Sequence, residues 1–223
     1  PREYARCSLV QDGKDTLKSI GVKLKGAAGS YQNFDERPCL TLNIDKYKKG
    51  QRFHGMEKFH LNNAAQDETF LNEWLGAELF RSAGLPAPRV GHVRLWINDR
   101  DLGLYVLREG FDEPFLKRSF GNSDGNLYDG GFLQDIDSEL EMDSGDDPDN
   151  RADLLGLTTA CYHPEPSVRG ELIADRLDMD KFLSFMALER LCGHWDGYTL
   201  NMNNYRIYFP VNGKGIFMPH GMD

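Results

Sequence analysis

The 223-residue sequence lacks several features that would assign it to a common class of protein. No apolar run approaches the roughly 18 residues of a membrane-spanning helix, so no span is expected. There is no long stripe of lysine and arginine, and the formal net charge is −9, so nucleic acid is not an expected partner. No internal repeat or proline-rich linker divides the chain. The sequence therefore predicts one large domain or two small lobes with a substantial core.

Cysteine is scarce, and its spacing excludes the common zinc patterns. The four cysteines form no C-x-x-C pair; they are Cys7, Cys39, Cys161 and Cys192. Two disulfides in an exported protein are one interpretation. Four buried free thiols are the other, because Cys39 and Cys192 lie within apolar runs. Since the sequence begins with Pro1 rather than Met, we expect it to be part of a longer chain whose export signal lies outside it.

Residues 1–120 have the pattern of a small α+β lobe. Alternating apolar residues predict strands at 20–25, 38–44, 55–63, 92–98 and 102–109. A helix is expected from Glu68 to Ala83, with Asp67 as its N-cap, because an apolar periodic stretch follows the aspartate. Asp112 is the expected cap of a second, short helix over 113–120.

Residues 121–223 have the pattern of a helix-rich lobe that carries one hairpin. A glycine- and asparagine-rich segment leads into an acidic run at 135–150, which we expect to be a mobile solvated loop rather than a calcium site. Helices are expected at 151–162 and 178–193, and the second is apolar nearly all round, which is typical of a buried helix. A strand pair follows at 203–209 and 216–223.

The link between the second helix and the strand pair holds the densest group of polar side chains. His194, Trp195 and Asp196 are followed by Asn201, which is the spacing of the protein-kinase loop H-R-D-x-x-x-x-N. In that loop the aspartate orients the attacking hydroxyl and accepts its proton, and the asparagine oxygen binds a magnesium ion. The hairpin would return Asp223 as a second metal-binding group. A polar turn is the alternative, because so short a motif arises often by chance.

Longer stretches carry a resemblance to one family. "HWDGYTLNMNNYRIY" is preceded by "GLPAPRVGHVRLWINDRDLGLYVLREGFDEPFL" and by "KFHLNNAAQDETFLNEWLGAELFRSAG". Together they resemble the CotH kinase family of atypical secretory protein kinases, first associated with bacterial spore coats. The resemblance extends from about residue 20 to residue 223. It implies a two-lobed kinase-like α+β fold, with an N-lobe of sheet plus one helix at 1–120 and a mainly helical C-lobe at 121–223.

The resemblance also implies an activity and a set of site residues. The expected reaction is transfer of the γ-phosphoryl group of ATP, with Mg²⁺ or Mn²⁺, to Ser or Thr of an exported protein. Asp196 matches the catalytic aspartate, and Asn201 and Asp223 match the metal ligands. The implied location is secreted, cell-surface or periplasmic. His194 is expected to hold the loop by a hydrogen bond, and Trp195 and Tyr198 to pack.

The nucleotide-covering part has no G-x-G-x-x-G motif. The candidate phosphate-covering turn is "KGAAGS", with Lys25, Gly26, Gly29 and Ser30, although plain turn chemistry explains such glycines equally well. The family's ATP-binding lysine position holds Arg37, which keeps the charge but not the point-charge geometry of lysine. Lys23 or Lys25 is the alternative cation.

Three further positions are left with open alternatives. The helix glutamate that would pair with this cation is Glu73 or Glu78, with Glu73 preferred and surface exposure as the alternative for both. Glu109 either faces the adenine at the hinge or ends a strand. Asn203 and Asn204 serve turn formation or a second contact to phosphate or metal.

Two other functions compatible with the same residues are a non-catalytic coat-assembly module that keeps the kinase fold, and transfer of AMP to a protein.

Overall fold

The computed structural model describes residues 3–27, 29–145, 147 and 149–222, and the chain forms two compact units. One unit comprises residues up to 74 together with 88–119, and the other comprises 75–87 and 120–222. Each unit contains an antiparallel sheet, so the predicted α+β class is confirmed. A kinase-like arrangement of two lobes stays a prediction.

The first unit is built on a six-stranded antiparallel sheet with the order β1-β2-β3-β4-β6-β5. Its strands are β1 Ala5–Gln11, β2 Asp15–Lys25, β3 Cys39–Asn43, β4 Lys58–Asn62, β5 Val90–Ile97 and β6 Arg100–Glu109. Side chains on one face form the core, among them Ile20, Leu40, Leu42, Phe59, Leu61 and Tyr105. The five strands predicted from alternation are confirmed, and β1, an edge strand paired with β2, was not predicted.

Two helices follow strands of this sheet, α1 at Asn72–Ser82 and α2 at Glu113–Phe120; the sequence pattern predicts both, whereas the family resemblance implied only one. The predicted cap of α2 is confirmed, because Asp112 Oδ1 accepts from the Phe115 amide at 3.0 Å. The other oxygen accepts from the amides of Glu57 and Lys58, at 3.1 and 2.8 Å. One carboxylate therefore caps α2 and fastens it to the start of β4.

Helix α1 begins four residues later than predicted, so Asp67 is not its N-cap. The carboxylate of Asp67 accepts from the amides of Thr69 and Asn72, at 3.0 and 2.8 Å, and so closes a turn ahead of the helix. Phe70 lies at φ +61°, a left-handed conformation that a helix cannot contain. The helix therefore starts only after this turn.

The second unit contains a four-stranded antiparallel sheet with the order β10-β9-β7-β8, flanked by helices. Its strands are β7 Asn126–Gly130, β8 Glu141–Ser144, β9 Tyr205–Phe209 and β10 Ile216–Pro219. Its helices are α3 Ala152–Cys161, α4 Pro166–Arg176, α5 Met179–Cys192 and the single turn α6 Tyr198–Asn201.

The expected helix-rich lobe with one hairpin is extended, because the hairpin belongs to a four-stranded sheet. The hairpin β9-β10 is present, but every residue of β9 is buried, so its backbone groups need partners on both sides. Strand β7 supplies the second ladder despite its asparagine, aspartate and glycine. The acidic run is likewise not all solvated loop, since β8 lies within it and Asp143 accepts from Arg206 Nε at 3.1 Å.

Helix α5 is less buried than its composition indicates. Only Phe185 and Glu189 are fully buried, whereas Leu183 and Leu191 are 59% and 75% exposed. One face packs through Phe185 on Phe217 of β10, with ring centroids 5.6 Å apart. Within the described residues, the opposite apolar face is uncovered, so the prediction of burial on all sides is wrong. Helix α4 was not predicted, although Pro166 at its start is a typical first-turn residue.

All four cysteines are free thiols, with Cys39 buried and Cys192 exposed. Burial is thus confirmed for Cys39 and wrong for Cys192. Among the described residues no helix has the length and apolar character to cross a membrane, and α5, at 14 residues, is the longest of them.

Candidate active site

The polar stretch after α5 forms a tight connection to β9. Helix α5 ends at Gly193, which lies at φ +65° and donates its amide to the Arg190 carbonyl. The chain turns through 194–197, makes the single helical turn α6 and enters β9 through Met202 and Asn204, both at positive φ. Asn204 therefore serves the turn, and its side chain is also directed at Asp196, the candidate catalytic group.

Asp196 is half-buried and is held by Asn204. The side-chain amide of Asn204 donates to Asp196 Oδ2 at 2.9 Å and to the Asp196 carbonyl oxygen at 3.0 Å. Asn204 itself lies at φ +50°, a conformation that asparagine tolerates better than most residues. Its carbonyl accepts from the His220 amide at 2.9 Å. Of the alternatives left open for Asn204, the structure shows a turn residue that also orients Asp196.

Asn201 is held in a similar way. Its side-chain nitrogen donates to the Trp195 carbonyl at 2.7 Å, and because a carbonyl only accepts, this contact fixes which end of the amide is nitrogen. The amide oxygen is then the group left to act as a ligand.

The predicted metal site is not tested by the described residues. Asp223 lies outside them. Within residues 3–222, apart from 28, 146 and 148, no group of three or more His, Cys, Asp and Glu side chains is arranged to hold a metal. The donor chemistry of Asn201 with Asp223, an amide oxygen and a carboxylate, nevertheless fits magnesium, which prefers hard oxygen ligands. The metal assignment stays a prediction.

Two buried polar side chains lie behind this loop. Glu189, on the last turn but one of α5, accepts from the amide of Tyr198 at 3.2 Å and from that of Thr199 at 2.8 Å. His194 Nδ1 lies 3.4 Å from Glu189 Oε1, and His194 Nε2 lies 2.8 Å from the Gly221 carbonyl oxygen. The expected hydrogen-bonding role of His194 is confirmed. Glu189 was not singled out from the sequence, although a glutamate within a strongly apolar helix indicates a candidate buried charge.

Gly197 is required by the same packing. A Cβ atom built on Gly197 would lie 2.4 Å from His194 Nδ1 and 2.8 Å from Glu189 Oε1, well inside normal contact distances. The loop backbone therefore passes directly against the buried pair, and a side chain here would displace one or the other.

The aromatic residues of the loop differ from each other. Tyr198 packs between Tyr205 and Phe217, at centroid distances of 4.8 and 5.0 Å, and donates its hydroxyl to Asp135 at 2.8 Å. Burial and the Asp135 carboxylate raise the pKa of Tyr198 far above its usual range, so the phenol keeps its proton. The packing prediction is confirmed for Tyr198. Trp195 is 59% exposed, and the prediction is wrong for it.

The candidate phosphate-covering turn lies in the first unit and is anchored to the end of β4. Lys25 Nζ donates to Asn62 Oδ1 at 2.7 Å, and Asn63 Nδ2 donates to the Ser30 carbonyl at 3.2 Å. Gly26 and Gly29 lie at φ +107° and +88°, conformations that favour glycine. These contacts are those of a well-formed turn, and the phosphate-binding role of its residues stays a prediction.

Arg37 and Glu73 occupy distinct environments in this unit. Arg37 Nη2 donates to the Leu104 carbonyl at 2.8 Å, and its guanidinium lies 5.4 Å from the centroid of the Tyr105 ring. Glu73 is buried and faces Arg108 of β6, with 3.6 Å between Oε1 and Nη1. Arg108, also buried, was not singled out from the sequence, although a charged residue inside the apolar run "LYVLRE" marks it.

Glu78 and Glu109 complete the comparison with the sequence hypotheses. Glu78 is only partly buried and pairs with Arg81 at 2.5 Å, so Glu73 is the buried one of the two competing glutamates. Glu109 is fully buried, and its carboxylate accepts from Arg89 Nη2 at 2.8 Å and from Arg118 Nη2 at 2.6 Å. The geometry favours the alternative in which the Glu109 side chain anchors a strand end over a contact to adenine.

Comparison with known proteins identifies the family. A family model described as CotH kinase protein matches residues 22–223, and the chain therefore belongs to this family.

The chain is similar to the spore coat protein homolog 1 of Rhizopus delemar, at 27% identity over 78% of this chain and 31% of that protein. It is also similar to the invasin CotH7 of that fungus, at 27% identity over 78% of this chain and 32% of the relative. The inner spore coat protein H of Bacillus subtilis is 24% identical over 70% of this chain and 46% of its own length. The chain thus spans less than half the length of these relatives, which come from a fungus as well as a bacterium.

Proposed function

We propose that this chain is the catalytic part of a metal-dependent protein kinase that transfers the γ-phosphoryl group of ATP to Ser or Thr. The observation that carries the proposal is the arrangement around Asp196. Its carboxylate is oriented by Asn204, and Asn201 on the same loop is oriented by the Trp195 carbonyl. Membership of the CotH kinase family supports the same assignment.

In the proposed chemistry, the two oxygens of the Asp196 carboxylate have different roles. With Oδ2 engaged by Asn204, Asp196 would use its other oxygen to accept a hydrogen bond from the substrate hydroxyl. The hydroxyl oxygen bonds to the γ-phosphorus, the bond from phosphorus to the ADP oxygen breaks, and the hydroxyl proton passes to Asp196. Asn201 and Asp223 would hold Mg²⁺ or Mn²⁺, which supplies charge neutralisation at the phosphates when bound.

In the first unit the proposed nucleotide contacts are the turn residues Lys25, Gly26, Gly29 and Ser30, together with Arg37. The exposed Gly29, the partly buried Gly26 and a nearby cation are suited to phosphate in chemical type. Glu73 supports this unit through Arg108 rather than by touching the nucleotide itself. The acceptor is proposed to be a coat or cell-surface protein, because relatives are named as spore coat proteins.

A non-catalytic assembly module is the second candidate, and one observation favours it. Arg37, which stands at the position of the family's lysine, already donates to the Leu104 carbonyl and lies over aromatic rings. Relatives are also named as coat proteins and invasins rather than as enzymes. Transfer of AMP to a protein remains a further variant of the catalytic proposal.

The deciding experiment is phosphate transfer from γ-labelled ATP to dephosphorylated casein, with magnesium or manganese chloride. We expect the wild type to label casein and Asp196→Asn to lower the rate by at least about 1,000-fold, because the proton acceptor is lost while the side-chain shape is kept. Asp180→Asn, an exposed acid on α5, is the matched control and should label at the wild-type rate. Equal rates for Asp196→Asn and wild type would remove Asp196 from the mechanism.

Two further measurements separate the alternatives. A nucleotide site must raise the thermal unfolding temperature when ATP and magnesium bind, so the absence of a shift at millimolar ATP would favour the assembly module. Intact-mass spectrometry of the labelled acceptor distinguishes an added phosphate from an added AMP.

A further inference from the structure

Glu189 lies at the centre of the contacts that shape the candidate catalytic loop. It is fully buried, with 0% of its surface exposed, near the end of α5. Its carboxylate accepts from the amides of Tyr198 and Thr199 and lies 3.4 Å from Nδ1 of His194. Two of these follow Asp196 in the chain and the third precedes it. The carboxylate therefore contacts the loop on both sides of Asp196, and it accepts hydrogen bonds from the side that follows Asp196.

These contacts satisfy polar groups whose burial would otherwise cost folding free energy. A buried carboxylate is strongly unfavourable unless it is hydrogen-bonded or paired. The amides of Tyr198 and Thr199 lie in the first turn of α6, where no carbonyl within the helix can accept from them. Glu189 and the loop thus satisfy each other's hydrogen-bonding groups.

His194 extends the same arrangement to the segment after β10. Its Nε2 lies 2.8 Å from the Gly221 carbonyl oxygen, an acceptor, so this nitrogen carries the proton. Its other nitrogen faces Glu189. The two ring nitrogens therefore face different neighbours: Nδ1 faces the buried carboxylate, and Nε2 faces the segment that follows β10.

We propose that Glu189 is a positioning residue for phosphoryl transfer, which sets the orientation of Asp196 through the loop amides and His194 without touching substrate. This inference rests on the proposed kinase activity for its effect on rate. The contact of Glu189 with the two amides is testable on its own.

The kinetic test is Glu189→Gln, which keeps the size of the side chain and removes one acceptor. A glutamine oxygen can replace one carboxylate oxygen, but its NH₂ group would then face a second donor. We expect kcat for casein labelling to fall about 100-fold, as a displacement of a catalytic group by about 1 Å does, while KM for ATP changes less than about threefold. Asp180→Asn, on the same helix, should change neither. An unchanged kcat, or an equal loss through KM alone, would overturn the positioning role.

Amide hydrogen exchange tests the contact without any catalysis. In the wild type, the amides of Tyr198 and Thr199 should exchange at least about 100-fold more slowly than in an unstructured peptide, and Glu189→Gln should remove about tenfold or more of this protection. Asp180→Asn should leave it intact. Unprotected amides in the wild type would overturn the proposal, and this measurement needs no soluble variant. If the wild type transfers no phosphate but both amides are protected by Glu189, the kinase proposal fails and the structural contact stands.

Discussion

Two helix glutamates, Glu73 on α1 and Glu189 on α5, are buried to the same degree but meet different partners. Glu73 faces the guanidinium of Arg108, with both side chains about 1–2% exposed. Glu189 faces two backbone amides and a histidine. The first joins a helix to a strand through a pair of side chains. The second accepts hydrogen bonds from backbone amides of the loop that carries Asp196.

The difference separates support of the fold from support of the site. Removing one member of an ion pair between side chains leaves the other member as a buried charge without that partner. A carboxylate that accepts from amides determines where those amides lie, so its loss moves a loop. We therefore expect substitutions at Glu73 to act mainly on stability, and substitutions at Glu189 to act mainly on turnover.

The largest expected effect on stability is that of Glu73→Ala. Removing Glu73 leaves the buried Arg108 guanidinium without this carboxylate, which costs about 3–5 kcal/mol of unfolding free energy. Urea unfolding followed by circular dichroism measures the change.

The double variant Glu73→Met with Arg108→Met sharpens this prediction. It removes both charges and should recover most of the lost stability, since apolar replacements of a buried pair are often close to neutral. If Glu73→Ala were as stable as the wild type, the ion pair would not support the first unit, and the contrast with Glu189 would disappear.

A smaller loss is expected for Gly197→Ala, because the added methyl group would overlap His194 and Glu189. Overpacking of this kind costs about 1–3 kcal/mol. Gly170→Ala on α4 is the matched control: nothing lies within 4 Å of a Cβ atom there, so the same change should stabilise the helix by about 0.5–1 kcal/mol. Thermal and urea unfolding compare the two. Equal effects would show that the loop does not pack against the buried pair.

The smallest and most pH-dependent effect is expected for Asp67→Asn. Burial acts to raise the pKa of Asp67, but hydrogen bonds from Thr69 and Asn72 hold it below its usual range. The ionised carboxylate therefore stabilises the fold above the unfolded pKa of about 3.9, and this contribution is lost as pH falls through the lower folded value.

At pH 7 the Asp67→Asn variant should lose about 1.5 kcal/mol of unfolding free energy, the lower end of the range for a hydrogen bond to a charged group. The difference in unfolding free energy between the variant and the wild type should decrease as the pH is lowered below about 4. Urea unfolding at several pH values measures this, with Asp99→Asn in an exposed turn as control. A difference in unfolding free energy that stays constant with pH would show that the charge of Asp67 does not contribute to stability.

Much of the first unit follows from its sequence. Strong alternation around Ile20, Leu40 and Leu61 defined strands that the structure confirms, because each strand buries one face. The cap at Asp112 was predicted for the same kind of local reason. Strand β7, with asparagine, aspartate and glycine among its five residues, could not be predicted in this way. It exists because the buried strand β9 needs a second hydrogen-bonded neighbour.

The candidate site divides in the same manner. The spacing of Asp196 and Asn201 is a local property and was visible in the sequence, together with the resemblance to the CotH kinase family. That Asn204 would orient Asp196 was not visible, since the contact depends on a left-handed turn between α6 and β9. Apolar composition also indicates burial for Trp195 and for all of α5, but the structure leaves Trp195, Leu183 and Leu191 exposed.

The sequence by itself determined the strands with a regular apolar period, the helix that leads into the loop, and the residue types able to carry out phosphoryl transfer. These depend on side chains close together in the chain. Only the tertiary structure decided which buried charges meet, Glu73 with Arg108 and Glu189 with His194 and the loop amides. The physical reason is that desolvation makes a buried charge unfavourable until a partner is supplied, and that partner comes from whichever element the fold packs beside it.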